Sequence, residues 1–375
     1  MSQTLNETRS PHAVRLVDLS GQSPSGPDIW APLKVSAAEI EAAIVKLAEA
    51  PRPANGVRAL SFVHPQAVAP GLGFAPGVSI RLVVLNPGET SDGVRSNASQ
   101  VELCIQGSGR IEVDGRTIPL ARWDVCNIPS MRTTVRTNDG DAVWACLVYA
   151  NTPLLEKLGV AYSEAGDAIV SETATDLPQQ KQAYVRETAP DILIAETGAR
   201  LRGYEFLTDI EVVENQAHHW PYARISTDLS QVVGDGKRQI MLLYNPATER
   251  RNGTTHSFFV TLSSTPPGLP QRRLGRGHRH SSVAINYHLK GSGSSLVDGQ
   301  RIDWSAGDLL LSGPGWSEHG HAMSEEGASV ITVQDHPLHI GMESLIWQER
   351  MDGPILTLGS ETGQTGYVGP RERGD

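Results

Sequence analysis

Polar and apolar positions alternate in short segments along most of the chain. Val101-Glu-Leu-Cys-Ile105 and Ser282-Val-Ala-Ile-Asn-Tyr-His-Leu289 are the clearest, and a period of two predicts strands that turn one face to a core. Asp114-Gly115, Asp298-Gly299, Gly107-Ser-Gly109 and Gly291-Ser-Gly293 punctuate them and read as tight turns. Helical periodicity is scarce. Residues 36–50, SAAEIEAAIVKLAEA, have Ser36 as N-cap and Glu39 three residues later, which completes a capping box. Residues 152–159, TPLLEKLG, predict a short second helix. The pattern predicts an all-β chain of barrel or jelly-roll type with a short helical N-terminal arm.

The pattern occurs twice. GSGRIEVDGRTIPLARWDVCNIP (107–129) lines up with GSGSSLVDGQRIDWSAGDLLLSGP (291–314), with Asp124 meeting Asp308 at the same offset of 184 residues that separates Gly107 from Gly291. A period of about half the chain means a duplicated domain, because solenoid units are far shorter. The expected organisation is an arm over 1–55, a first barrel over 56–160, a linker and interdomain segment over 161–235, a second barrel over 236–350 and a tail over 351–375.

Composition narrows the partners. The 375 residues carry a formal net charge of -10, which argues against nucleic acid and anionic lipid surfaces. No apolar run is long enough to span a bilayer, and the first residues, MSQTLNETRSPHAV, are polar. Cys104, Cys126 and Cys146 match no zinc framework and are odd in number, so buried thiols in a reducing cytoplasm are expected.

The histidines set the two copies apart. Ten of the twelve follow residue 217. His278 and His280, two apart on a strand, point to one side, and a facing strand offers His319 and His321. Either of the latter completes a group of three imidazoles around a metal; the other would stand beside it as acid or base. In the first copy the same positions hold Val94, Ser96, Thr134 and Arg136, so that barrel is expected to be metal-free. Three neutral imidazoles leave a dipositive ion its full charge and open positions, suited to chelating a dianionic substrate. Ligand type alone fits iron, zinc, nickel and copper, and zinc would direct the site to hydrolytic or lyase chemistry.

The spacing of His278, His280, Gly291, the Gly307-Asp308 turn, Pro314 and His319 resembles the two motifs of a cupin. The motif spacing takes His319 as the third ligand. Beyond the motifs, LNPGET, YNPATERRNGTT, HRHSSVAINYHLKGSGSSLVDGQRIDW, GWSEHGHA and VQDHPLHIGMESLIWQE make the chain resemble the bicupins of the gentisate 1,2-dioxygenase-like family, with its salicylate and 1-hydroxy-2-naphthoate dioxygenases. The resemblance implies Fe(II), one per chain; the ligand set leaves zinc, nickel or manganese open as the metal. It also implies an aromatic hydroxy acid and O2 as substrates and a homo-oligomer, dimer or tetramer. The chain departs from the cupin motif where its glutamate is replaced by Ala284. It departs from the family at two points: the arginine on the barrel floor is replaced by Asn286, and the working site lies in the second cupin rather than the first.

Other residues are placed by parity. Asn286 and His288 share the face of His278 and His280 and are candidate substrate contacts or satisfied core groups. Trp316 is a candidate to stack on a ring or to pack the rim, and Arg279, with Arg272, Arg273 and Arg276, crowds the mouth as a carboxylate partner. Glu318 should face outward and His218 and His219 should be structural; Asp335 and His336 end a strand, with support of the ligands as the lesser reading. Three functions follow: an Fe(II) ring-cleaving dioxygenase with His321 as catalytic acid or base; a redox-neutral metal enzyme (lyase, isomerase, hydrolase or decarboxylase); and a binding bicupin without catalysis.

Overall fold

The structure, a computed structural model, describes residues 14, 16–113, 115–166, 189–204, 216–232, 239–268 and 277–357. Arg272, Arg273 and Arg276 lie outside the described residues. The chain enters through β1 (Leu33–Val35) and helix α1 (Ala37–Glu49), where the expected capping box forms: Ser36 receives the Glu39 N–H and Glu39 the Ser36 N–H. Nine strands follow: β2 (Arg58–Phe62), β3 (Ser79–Leu85), β4 (Val94–Ser96), β5 (Gln100–Gln106), β6 (Ser108–Val113), β7 (Arg116–Ala121), β8 (Val125–Ile128), β9 (Thr134–Thr137) and β10 (Trp144–Ala150). The predicted second helix, α2 (Thr152–Lys157), leads to β11 (Ser163–Ala165), a small hairpin of β12 (Asp191–Leu193) and β13 (Arg200–Arg202), then β14 (His219–Trp220) and α3 (Tyr222–Val232).

The second half repeats the order. It comprises β15 (Gln239–Leu242), β16 (Phe259–Thr265), β17 (Arg279–His280), β18 (Val283–Val297), β19 (Gln300–Ser305), β20 (Leu309–Pro314), β21 (His319–Gln334), α4 (His336–Gly341), β22 (Ile346–Gln348) and β23 (Leu356–Thr357). At the offset of 184, β18 spans the counterparts of β5 and β6, and β22 that of β11. The bend between β5 and β6, and its equivalent within β18, rests on glycine. Gly107 and Gly291 sit at φ +68 and +78, and a Cβ on either would lie 2.5 or 2.0 Å from the carbonyl oxygen of Val143 or Gly327. No other residue fits there, which is why these glycines head both copies.

One sheet runs β14-β8-β5-β10-β3-β2 and its counterpart β1-β20-β18-β21-β16-β15, with β19 on β18. The outer members are exchanged: β1, from the N-terminal arm, pairs with β20 of the second half, and β14, which precedes the second half, pairs with β8 of the first. Asp308 accepts the Ala37 N–H at 2.8 Å, and Asp124 accepts the Tyr222 N–H at 2.8 Å, so each repeated aspartate holds the start of the helix after the borrowed strand. His219 also bonds Asp124, at 2.9 Å. The repeated aspartates, Asp124 and Asp308, thus have a structural duty that parity could not reveal.

The sheets pack face to face. Ile80, Leu82, Val84, Leu103 and Leu147 of the first half share one core with Val260, Leu262, Ile285, Leu311 and Val333 of the second, closed by Ile40 and Ile44 of α1. The alternate residues of the same strands face inward in each half. In the first half these include Val83, Cys104, Ile111, Cys126 and Cys146. The three cysteines are free and buried, and burial pushes the Cys126 and Cys146 thiols well above their ordinary range.

Candidate metal centre

His278 and His319 exchange main-chain hydrogen bonds of 3.1 and 2.9 Å, which brings their side chains to one face. His280, two residues on, joins them. Ring centroids stand 4.7 Å apart for His278–His319 and for His280–His319, and 5.6 Å for His278–His280. One nitrogen of each lies within 4.8 Å of the others, the single such group of three among the described residues.

Their supports fix which nitrogen faces the cluster. The His319 Nδ1 is 2.9 Å from the Ser317 carbonyl, and the His280 Nδ1 2.9 Å from that of Ser282. A carbonyl only accepts, so both rings carry the proton on Nδ1 and keep a lone pair on Nε2. The His280 Nε2 is fully buried with no hydrogen-bond partner in the described protein. An unsatisfied buried acceptor costs about 1–3 kcal/mol, and a cation shared with its neighbours removes that cost. Burial, reinforced by His319, His336 and His278, holds His280 well below the ordinary imidazole value, and burial also lowers His319. Neutral donors with fixed tautomers are what a divalent transition metal requires, so the residues present fit such an ion.

Around this group the predicted residues fall into three places. Arg279 points away from its histidine neighbours; its Nε donates to Gln348 at 2.7 Å, and its guanidinium lies 4.5 Å from the Trp316 ring, so these two candidates are one unit. Asn286 is buried, donating to Ser312 at 2.9 Å and accepting from Thr332 at 2.8 Å. His288 donates to the Asp308 carbonyl at 3.0 Å and stacks 4.0 Å from Trp304; burial lowers it to about 4. His321 stays outside the group of three, with its ring centroid 5.9 Å from that of His319 and its Nδ1 2.8 Å from the Ser295 hydroxyl. Ala284 stands beside His319: a Cβ placed on Gly313 would meet the Ala284 Cβ at 3.0 Å and the His319 Cε1 at 3.1 Å. The slot of a cupin carboxylate is therefore occupied by a methyl group next to the imidazoles.

Two supports were not legible as such. Trp347, on β22, pairs with His280 across the ladder and lies over both histidines, 4.6 Å from His278 and 5.1 Å from His280. Directly opposed residues of an antiparallel pair stack on one face, so the register alone places the indole. Ser282 bridges His280 and His336, whose ring sits 4.9 Å from that of His280, while Asp335 accepts the Val283 N–H at 2.8 Å.

No family model matches the chain. Among curated proteins, a 1-hydroxy-2-naphthoate 1,2-dioxygenase of Nocardioides sp. (strain KP7) is 25% identical over 288 residues, 75% of this chain and 68% of that protein. A 5-aminosalicylate 1,2-dioxygenase of Comamonas sp. is 22% identical over 267 residues, 68% of this chain and 64% of its own length. Among solved structures, a salicylate 1,2-dioxygenase variant of Pseudoaminobacter salicylatoxidans in complex with gentisate superposes with a TM-score of 0.67 at 15% identity, over 94% of this chain and 98% of that one. The chain is a bicupin related to these 1,2-dioxygenases. The architecture expected from the repeat is the one shared with the salicylate dioxygenase, and the three histidines lie in the bicupin's second half.

Proposed function

We propose that the bicupin is an Fe(II)-dependent dioxygenase that opens the ring of an aromatic hydroxy acid, with its site in the second cupin. The observation that carries this reading is the convergence of three imidazoles, two of them buried and held neutral, with an alanine where a carboxylate would stand, in a chain whose relatives are named as 1,2-dioxygenases. His278, His280 and His319 would hold the metal. Iron supplies there a redox change toward O2 that zinc lacks.

The protein's own residues bind and orient. The Arg279–Trp316 pair offers a cation and a ring face for the acid. Asn286 retains one amide proton beyond its bond to Ser312, and His288 a lone pair on Nε2, as further contacts on the inner face. His321, fixed through Nδ1 by Ser295, is assigned to hold a proton near the substrate oxygens. The first cupin is taken as 56–160, the interdomain segment as 161–235 and the second cupin as 236–350. A cytoplasmic dimer or tetramer completes the reading; the thiols support the compartment, and light scattering decides the assembly.

The test is an oxygen electrode. Protein stripped of metal and reloaded anaerobically with Fe(II) or Zn(II) is given a panel of hydroxybenzoates, hydroxynaphthoates and their amino derivatives. Expected are one O2 consumed per ring opened with iron, none with zinc, and no turnover under argon. His278→Ala/His280→Ala should lose the metal, whereas His321→Ala should keep it and lose about 10²–10⁴-fold in rate. Turnover with zinc or without oxygen would move the assignment to a redox-neutral lyase, isomerase, hydrolase or decarboxylase.

A further inference from the structure

The first cupin contains a cavity of about 410 Å³. Its walls include Val94, Ser96 and Thr134, the counterparts of His278, His280 and His319, and Ser163, the counterpart of Trp347. Four ring side chains of the second cupin are thus small in the first, and the space they would fill is open. The backbone beneath is retained: Val94 pairs with Thr134 as His278 pairs with His319, and Ser96 with Ser163 as His280 with Trp347.

The cavity has a charged wall. Arg136 is neutralised by buried Glu102, with Nη2–Oε2 at 2.7 Å, and Arg95 by Glu164 at 2.5 Å. Arg81 points inward with Val83 and Leu85, surrounded by protein yet open to solvent through the cavity, and no carboxylate of the described residues bonds it. Its counterpart in strand pairing is Thr261: Arg81 faces Val148 as Thr261 faces Thr332. A guanidinium therefore replaces a hydroxyl where the site lost its imidazoles. Burial, and then Arg136 nearby, weaken its hold on its proton, with Glu102 acting in the opposite sense. Ser96, whose oxygen accepts from Gln100 at 3.2 Å, keeps its own proton to donate. Leu72, Val94 and Tyr162 supply apolar surface, and Glu156 stands at the exposed rim.

We infer that the first cupin is a metal-independent binding site for a small monocarboxylic acid with an apolar body of about the size of benzoate. Arg81 takes the carboxylate in its planar fork, Ser96 donates a further hydrogen bond, and the apolar walls cover the ring. A single unpaired cation selects a monoanion, and the volume holds one such molecule with a few waters. No turnover is expected there, because the three ligand positions offer no imidazole.

The experiment uses the full metal-loaded chain. Benzoate is titrated calorimetrically into wild type, Arg81→Gln and His278→Ala/His280→Ala, and crystals are soaked in 4-iodobenzoate to locate iodine by its anomalous signal. Expected are iodine between Tyr162 and Leu72, a benzoate site that survives the histidine substitutions, and at least a tenfold loss of affinity for that site in Arg81→Gln. Benzamide, the neutral isostere, and inorganic phosphate, which lacks the apolar body, should compete at least tenfold more weakly than benzoate. Iodine at the three histidines alone, or benzoate affinity abolished by the histidine substitutions and untouched by Arg81→Gln, would overturn the inference. So would benzamide or phosphate binding as tightly as benzoate; those comparisons need no variant to fold. Loss of oxygen consumption has no bearing on any of these readouts, so the two readings fail separately.

Discussion

The two cupins share a register and differ in what the register carries. Arg279 pairs with Gln348 across β17 and β22, and Arg95 with Glu164 across β4 and β11, each at the offset of 184. The first pair is joined by a neutral acceptor and the second by an ion pair. Further in, Asn286 sits in a neutral network with Ser312 and Thr332, whereas its counterpart Glu102 is fully buried and grips Arg136, which stands where the second cupin has His321. One interior is thus tuned to keep imidazoles neutral and available, the other to balance fixed charges around an open space. The strand scaffold specifies neither. Duplication preserved the glycines, the capping aspartates and the ladder, and left inward-facing side chains free to diverge.

The sharpest way to break this comparison is to rebuild the lost site. Val94→His/Ser96→His/Thr134→His places three imidazoles on a register that already brings Val94 to Thr134. The expected outcome is a second equivalent of zinc per chain, bound more weakly than the first. Weaker binding follows because Arg81 and Arg136 lie nearby and because Ser282, which steadies His280, has Ala98 as its counterpart. Elemental analysis after dialysis against micromolar zinc reads it. A chain that still binds one equivalent shows that the backbones differ where the pairing says they agree.

The sequence carried the site further than it carried the fold's closure. His278, His280 and His319 were legible because period two and a repeat fix both parity and offset, and Ala284 because a motif defines an expected carboxylate. Trp347 and Ser282 were not, since their role arises only when β22 docks beside β17, a pairing across 67 residues that no local pattern encodes. The exchange of β1 and β14 escaped for the same reason: edge strands of two or three residues have too little periodicity to announce a partner. Arg81 reads in sequence as an ordinary polar position on a strand. Only the loss of four rings around it turns it into the wall of a cavity.

A smaller effect tests the charge balance of the first interior. Glu102→Gln leaves Arg136 buried without its counter-ion, and breaking such a pair costs about 3–5 kcal/mol. Asn286→Leu, the matched change in the second cupin, leaves the hydroxyls of Ser312 and Thr332 short of one partner each and should cost about 1–3 kcal/mol. Urea unfolding of both variants measures the gap. Equal losses would show that the ion pair is no more demanding than the neutral network. Glu102→Leu/Arg136→Met should recover most of the first loss, because it removes both charges together.

The mildest prediction concerns pH and the imidazoles themselves. His288 titrates near 4 in the folded chain and His336 near 3, against an ordinary 6.5, with burial the leading cause for both. Below pH 6.5 the unfolded chain takes up protons that these folded residues refuse. Their contribution is therefore fully present above 6.5 and falls as the pH drops toward the folded values. For His288 alone the loss between pH 6.5 and 4 amounts to about 3 kcal/mol, at roughly 1.4 kcal/mol per unit. The first cupin has no imidazole at the corresponding positions: Cys104 stands where His288 does and Asn151-Thr152 where Asp335-His336 do. Metal-stripped protein should lose stability steadily from pH 6.5 to 4.5, and the loss should begin in the second cupin. Hydrogen exchange at pH 7 and pH 5 decides it: amides of β18 and β21 should lose protection before those of β5 and β10. A uniform loss across both cupins would show that the buried histidines do not set the acid limit of the fold.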